Sequence, residues 1–255
     1  MTMPPSVREL IPGVFLLETE LDDFDVRSAV IVGSTRAAVW DTLAHPAQMS
    51  PVGDLVSGMP LLVVYSHADW DHVWGTRGVR LPEEIVAHEL AGQRFAADVP
   101  EKLEEKRRAQ PRVWDDVELL PPTRLFRDKL SIDLGGATLE LHHLPGHTAD
   151  SIVGWIPEWG VWLAADAVET PLPVVNDGAA VPGWIDELTR WADIDSLTHV
   201  IPSHGRLGGR DLLKENIAYL QSLTQGGDEP PGDALQPFYR DTHNRNVQAM
   251  LRRGD

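Results

Sequence analysis

Within six positions of this 255-residue chain stand four residues able to bind a divalent metal. They are His67, Asp69, Asp71 and His72, in the run Ser66-His67-Ala68-Asp69-Trp70-Asp71-His72. In an extended segment the His67-x-Asp69 spacing points two side chains the same way. The adjacent Asp71-His72 pair then points away, which suits a second metal close to the first. Single candidates follow: His147 in Pro145-Gly146-His147-Thr148, Asp166 after Ala165, and His204 in Ser203-His204-Gly205. Alone, His147 or His204 reads as a capping or core residue, and Asp166 as a turn or helix cap. Four ligand types in six positions do not read as a solvated loop. Cysteine is absent, which excludes thiolate metal sites, disulfides and a cysteine nucleophile together. Imidazole and carboxylate remain, and Zn²⁺, Fe and Mn²⁺ all accept them. Two such metals sharing a water bring its pKa toward neutrality, supply a hydroxide nucleophile and polarise the carbonyl it attacks.

Each candidate follows an apolar run with the pattern of a strand, and loops at strand ends are where polar site residues are mounted. Leu61 to Tyr65 precedes the 67–72 cluster, and strands at 138–144, 161–165 and 199–202 precede His147, Asp166 and His204. Further strands are expected at 13–18, 28–33, 37–41, 130–134 and 151–156, with turns at Gly135-Gly136 and Pro157-Glu158-Trp159-Gly160. Helical patterning is expected at 46–58, from Glu83 to Asp98, at 101–110, from Trp184 to Ile194 and from Asp211 to Leu223. Gln225 to Pro237 reads as a loop, and residues 238–255 as a C-terminal segment whose Phe238–Arg253 stretch is a helix candidate. No repeat of fixed period is evident. Strands followed by helices in each half give an α+β layout, expected as one domain over residues 1–255.

Composition narrows the function classes. Thirty-nine acidic against 22 basic residues give a formal net charge of −17. Such a surface repels phosphate backbones and anionic membranes, so no nucleic-acid or membrane partner is expected. The first ten residues hold Pro4, Pro5, Arg8 and Glu9 without a long apolar run. They read as neither signal peptide nor membrane span, and the expected location is cytoplasmic. Oligomeric state is not legible.

The combined motifs resemble the metallo-β-lactamase superfamily, through His67-x-Asp69-x-Asp71-His72, Pro145-Gly146-His147-Thr148, Ala165-Asp166 and Ser203-His204-Gly205. The resemblance runs from about Gly13 to Leu223. It implies a four-layer αββα sandwich with two metals at one edge. It also implies that His67, Asp69 and His147 hold the first metal, that Asp71, His72 and His204 hold the second, and that Asp166 bridges them. Asp41 matches a position that supports the ligands from behind; otherwise it is a turn residue. The departure is Asp69, where the family carries His; related flavodiiron proteins carry Glu there and bind two irons. Three carboxylates (Asp69, Asp71, Asp166) and a hydroxide balance two divalent cations, which raises the pKa of the bound water and favours Fe or Mn over Zn. Zn²⁺ held by Asp69 is the alternative, since carboxylates ligate zinc.

The expected function is metal-dependent hydrolysis of a small ester, thioester, lactone or amide by a metal-bridging hydroxide, with Asp71 placed to handle a proton. A di-iron, oxygen-handling redox protein is a second reading, weakened because the chain ends too soon for a flavodoxin domain. The acidic balance argues against a nuclease. A non-catalytic relative that kept the fold is a further reading. His45, His88 and His199 show no partner pattern, and His243 reads as a surface residue that a folded-back C-terminus would bring to the pocket. Of His142 and His143 one is expected to face the core and the other solvent. Trp70, Trp74 and Trp184 read as pocket wall or core packing, and loops 81–127 and 169–183 as the carriers of specificity.

Overall fold

The computed structural model describes residues 4–56, 58–80, 82–232 and 236–252. Residues 1–3, 233–235 and 253–255, which belong to the expected N-terminal stretch, loop and C-terminal segment, lie outside the described residues, as do 57 and 81.

Seven strands form the first sheet in sequence order: β1 (Ser6–Ile11), β2 (Val14–Glu20), β3 (Asp25–Val32), β4 (Ala37–Trp40), β5 (Leu61–Val64), β6 (Glu84–His88) and β7 (Arg124–Phe126). The second sheet has five, in the order β12-β11-β10-β9-β8, comprising β8 (Lys129–Asp133), β9 (Thr138–His143), β10 (Ile152–Ile156), β11 (Val161–Ala165) and β12 (His199–Pro202). Strand period 2 explains how the two sheets stack. On β4 and β5, Ala38, Trp40, Leu62 and Val64 face inward, toward Leu139, Leu141, Leu163 and Ile201 of the other sheet. Their neighbours Ala37, Val39, Leu61 and Val63 face outward. With both faces covered, these strands are continuous apolar runs. A one-residue slip would exchange the two sets, so the register is fixed by burial.

The outer layers are helical. Helices α1 (Val52–Val56), α2 (Trp70–Val73), α3 (Glu89–Phe95) and α4 (Asp98–Ala109) lie on the chain between β4 and β7, and they pack on the outward residues of the first sheet. Helices α5 (Val181–Ala192), α6 (Arg210–Thr224) and α7 (Pro237–Leu251) cover the second, through Trp184, Leu188, Leu212, Leu220 and Ala249. The molecule is a four-layer αββα sandwich, as the resemblance implies. Among the described residues no helix is long and apolar enough to cross a membrane.

Strand direction places the chemistry. β4, β5 and β6 are parallel, so the chain leaves β4 at Asp41 and β5 at Ser66 on the same edge of the first sheet. β11 and β12 are parallel, and β9 and β11 both run antiparallel to β10. The ends of β9, β11 and β12, from which His147, Asp166 and His204 follow, therefore share one edge of the second sheet.

The structure departs from the sequence reading at three elements. The segment from Glu83 is not helical throughout: Glu84–His88 is the strand β6, and helix α3 starts at Glu89. The helical reading rests on Ile85, Val86, Leu90 and Phe95, but parallel pairing with β5 makes 84–88 a strand whose Ile85, Val86 and Ala87 are buried on its two faces. β1 was not expected, because as an edge strand it is mostly exposed and polar. β7 is a three-residue strand with no apolar run.

One close approach sets the shape of the ligand loop. A Cβ on Gly75 would lie 1.8 Å from the Thr42 carbonyl oxygen, and the Gly75 N–H donates to Leu43 O at 3.0 Å. Overpacking at such a point costs about 3 kcal/mol. Gly75→Ala is therefore expected to lower unfolding stability by about that amount in urea titration. Gly53→Ala, in an open helical position, is expected to raise it by up to about 1 kcal/mol.

Candidate metal centre

The loop after β5 is built on one buried carboxylate. Asp41 Oδ1 accepts the Ser66 backbone N–H, and its Oδ2 accepts the Ser66 hydroxyl, each at 2.7 Å. Asp41 Oδ2 also lies 2.9 Å from His72 Nδ1. Because the Ser66 hydroxyl gives its proton to Asp41, it accepts from His67 Nδ1, 2.9 Å away. Both imidazoles are thereby fixed with Nδ1 protonated and Nε2 bearing the free lone pair. The expected extended run ends at Asp69, where the single turn of α2 starts with the His72 N–H on Asp69 O at 3.1 Å. That turn brings Asp71 and His72 back toward the same centre.

The other two imidazoles follow the same rule. His147 Nδ1 donates to Val174 O at 3.1 Å, and His204 Nδ1 to Asp25 O at 2.6 Å. All four Nε2 atoms then converge on Asp166 Oδ2, at 3.7 Å from His67, 3.5 Å from His72, 3.6 Å from His147 and 3.3 Å from His204. Asp69 Oδ2 lies 3.6 Å from His67 Nε2 and 3.4 Å from His147 Nε2. Asp71 Oδ2 lies 3.8 Å from His72 Nε2 and 3.6 Å from His204 Nε2. The structure thus brings together every residue expected from the sequence, in four overlapping groups: His67, Asp69 and His147; His67, His72 and Asp166; Asp71, His72 and His204; and His147, Asp166 and Glu169.

These donors fit divalent ions. Buried His67 Nε2, His72 Nε2 and Asp166 Oδ1 have no hydrogen-bond partner, an expensive arrangement unless something else satisfies them. Protons partly compensate when no ion is bound. Burial pulls the imidazoles of His72, His147 and His204 down, but the facing carboxylates outweigh it. His147, beside Asp69 and Asp166, is lifted to about 9, and His204, beside Asp166, to about 10. His72 rises for the same reason. Burial opposes ionisation of Asp69 and Asp166, yet the surrounding imidazoles hold both well below the usual carboxylate range.

Sequence reading missed three supporting residues. Arg94 Nη2 meets Asp69 Oδ1 at 2.7 Å, and its Nη1 meets Asp150 Oδ1 at 3.1 Å. Asp150 Oδ2 in turn accepts the Ala68 N–H at 2.8 Å. Burial beside Asp166 pushes the Glu169 carboxyl up to about 7. Glu169 accepts the Val174 N–H at 3.0 Å, fixing the residue whose carbonyl orients His147. The signal available for Arg94 was Asp69 itself, since a carboxylate at that point needs a cationic or metal partner.

Other expectations resolve differently. His243 is not on the surface: it is 2% exposed and bonded to the Tyr219 hydroxyl at 3.0 Å. The C-terminal helix does reach the centre, but through Phe238, Tyr239 and Arg245. His88 has a partner after all, stacking on His143 at 3.8 Å between ring centroids. His142 and His143 are both half-buried, so neither faces the core outright. Trp184 packs in the core with its indole N–H on Ala167 O, whereas Trp70 and Trp74 line the cavity above the donors. That cavity holds about 780 Å³.

Removing the carboxylate that fixes His67 and His72 is expected to weaken metal binding. Asp41→Ala should lower affinity about 10–100-fold in competition with a chelator. The raised imidazoles also give a pH dependence to the metal-stripped protein. Their stabilising contribution is complete below the unfolded value of about 6.5 and disappears as pH rises through about 9 and 10. Its melting temperature is expected to fall over that window, and divalent metal should reverse the trend by displacing the protons.

A family model described as the metallo-beta-lactamase superfamily matches residues 21–204. A metallo-beta-lactamase type 2 of Bacteroides fragilis is 29% identical over 115 residues, which cover 43% of this chain and 46% of that protein, so the match spans about half of each. Among solved structures, a metallo-beta-lactamase from Pontibacter korlensis superposes with a TM-score of 0.66 at 19% identity, covering 85% of this chain and 99% of that one. The sec-alkylsulfatase Pisa1 from Pseudomonas sp. superposes with a TM-score of 0.71 at 16% identity, covering 98% of this chain and 50% of that one. At those identities the two structures speak to the fold alone. The family match runs from before Asp41 through His204 and takes in the whole donor set. On that span the chain belongs to the metallo-β-lactamase superfamily, a group of metal-dependent hydrolases.

Proposed function

We propose that this protein hydrolyses a small ester, thioester, lactone or amide at a dinuclear centre. The observation that carries this reading is the convergence of four Nε2 lone pairs on Asp166 Oδ2, every Nδ1 being committed elsewhere. His67, Asp69 and His147 would hold one ion, Asp71, His72 and His204 the other, and Asp166 would lie between them. The ions, drawn from Zn, Fe or Mn, would make water nucleophilic near neutral pH and polarise the scissile carbonyl.

The chain's own residues do the rest. Asp41, Val174 and Asp25 hold the imidazoles in one tautomer, so no reorganisation is needed when substrate arrives. Asp71 borders the cavity and would take a proton from water and pass it to the leaving group. Phe24, Trp70, Trp74 and Phe238 wall the cavity and would exclude water around an apolar substrate moiety.

Expression in metal-defined medium, followed by metal analysis and assay against an ester, thioester, lactone and β-lactam panel, tests the proposal. Two equivalents of metal and turnover on the panel are expected, with both lost in Asp166→Ala. A metal-loaded sample inert on the panel but consuming oxygen with a reductant would favour the redox reading instead. Inertness in both assays would favour a non-catalytic relative.

A further inference from the structure

Asp69 departs from the imidazole that the family carries at this point, and the structure surrounds it with a partner that an imidazole would not need. The two carboxylate oxygens are in different environments. Oδ1 meets Arg94 Nη2 at 2.7 Å, while Oδ2 faces the Nε2 atoms of His67 and His147 at 3.6 and 3.4 Å. Arg94 is itself anchored. Its Nη1 meets Asp150, whose side chain is 0% exposed, at 3.1 Å. Its Nη2 and Nε meet Asp98 at 2.8 and 3.1 Å. Asp150 also accepts the Ala68 N–H at 2.8 Å, tying the same clamp to the backbone just before Asp69.

We infer that Arg94 is a positioning residue that makes Asp69 a one-oxygen ligand, the stereochemical counterpart of the imidazole it replaces. The inference rests on the metal-centre reading above. A free carboxylate offers both oxygens and can chelate one ion, which raises its coordination number. A guanidinium committed to Oδ1 leaves Oδ2 alone for the metal and draws charge from the group. A four-coordinate nitrogen-and-oxygen site suits zinc, while a higher oxygen count suits Mn or Fe. Arg94 therefore acts against the shift toward harder metals that a carboxylate count alone implies. The planar fork matters as well as the charge, because one guanidinium must reach Asp69 and Asp150 at once.

The test uses cobalt-substituted protein, whose visible bands weaken as coordination number rises, together with competition between zinc and manganese for the first site. The variants are Arg94→Gln, Arg94→Lys, Asp69→His and the double variant of Asp69→His with Arg94→Gln. In Arg94→Gln the cobalt bands are expected to weaken and the zinc-over-manganese preference to fall about tenfold. Arg94→Lys should move both readouts in the same direction by less. In the Asp69→His background, replacing Arg94 should move neither, because the imidazole has no second oxygen to release. Should Arg94→Gln fail to fold, Arg94→Lys carries the comparison. Unchanged bands and preference in a folded Arg94 variant would overturn the inference, as would equal changes with and without Asp69. Failure of the wild-type chain to take up cobalt at all would instead count against the proposed metal centre.

Discussion

Asp41 leaves β4 in the left-handed region, at φ 58, with its side chain buried and three donors gathered on its carboxylate. Aspartate tolerates that backbone conformation better than a β-branched residue would. A buried carboxylate without donors would cost several kcal/mol. Here the charge is met by a backbone N–H, a hydroxyl and an imidazole, and each of these belongs to the ligand loop. Position and tautomer of His67 and His72 follow from one residue on the neighbouring strand. The parallel pairing of β4 with β5 puts that residue within reach, and the close approach at Gly75 lets the following turn close over it.

Electrostatics then explain why the centre is a site rather than a solvated cluster. Asp69, Asp71 and Asp166 face four imidazoles; all of these but the half-buried Asp69 are buried. Without metal the imbalance draws protons, which is why His147 and His204 are lifted so far above an ordinary imidazole. Protonated Nε2 groups and divalent ions compete for the same positions. The same arrangement that stabilises protons in the stripped protein is the one that would bind metal once they leave. Glu169, held near 7 by burial and Asp166, adds a further carboxyl whose charge responds to what fills the centre.

The donor residues were legible in the sequence because each sits at the end of an apolar run, and parallel strand ends share an edge. The αββα layering was legible only through the family resemblance; the apolar runs alone say that strands are buried on both faces, not how the sheets stack. Two kinds of feature escaped. β1 and β7 are exposed edge strands, so burial left no apolar signature on them. Residues 84–88 are joined to the helical pattern by Leu90 and Phe95 of the segment that follows, and only pairing with β5 decides for the strand. Arg94 escaped for a different reason. On α3 it reads as one more solvated charge, and its meaning depends on Asp69 and Asp150, 25 positions before and 56 after it in the chain. The charge count made from Asp69, Asp71 and Asp166 was incomplete without it.

The proposed chemistry needs two ions in one cluster with Asp166 between them. The most direct measurement is anomalous diffraction from crystals of the protein as expressed, collected on both sides of the manganese, iron and zinc absorption edges. Two anomalous peaks are predicted, one bounded by His67, Asp69 and His147 and the other by Asp71, His72 and His204, at Nε2 distances of about 2.0–2.1 Å. A single peak, or peaks away from the four Nε2 atoms, would contradict it.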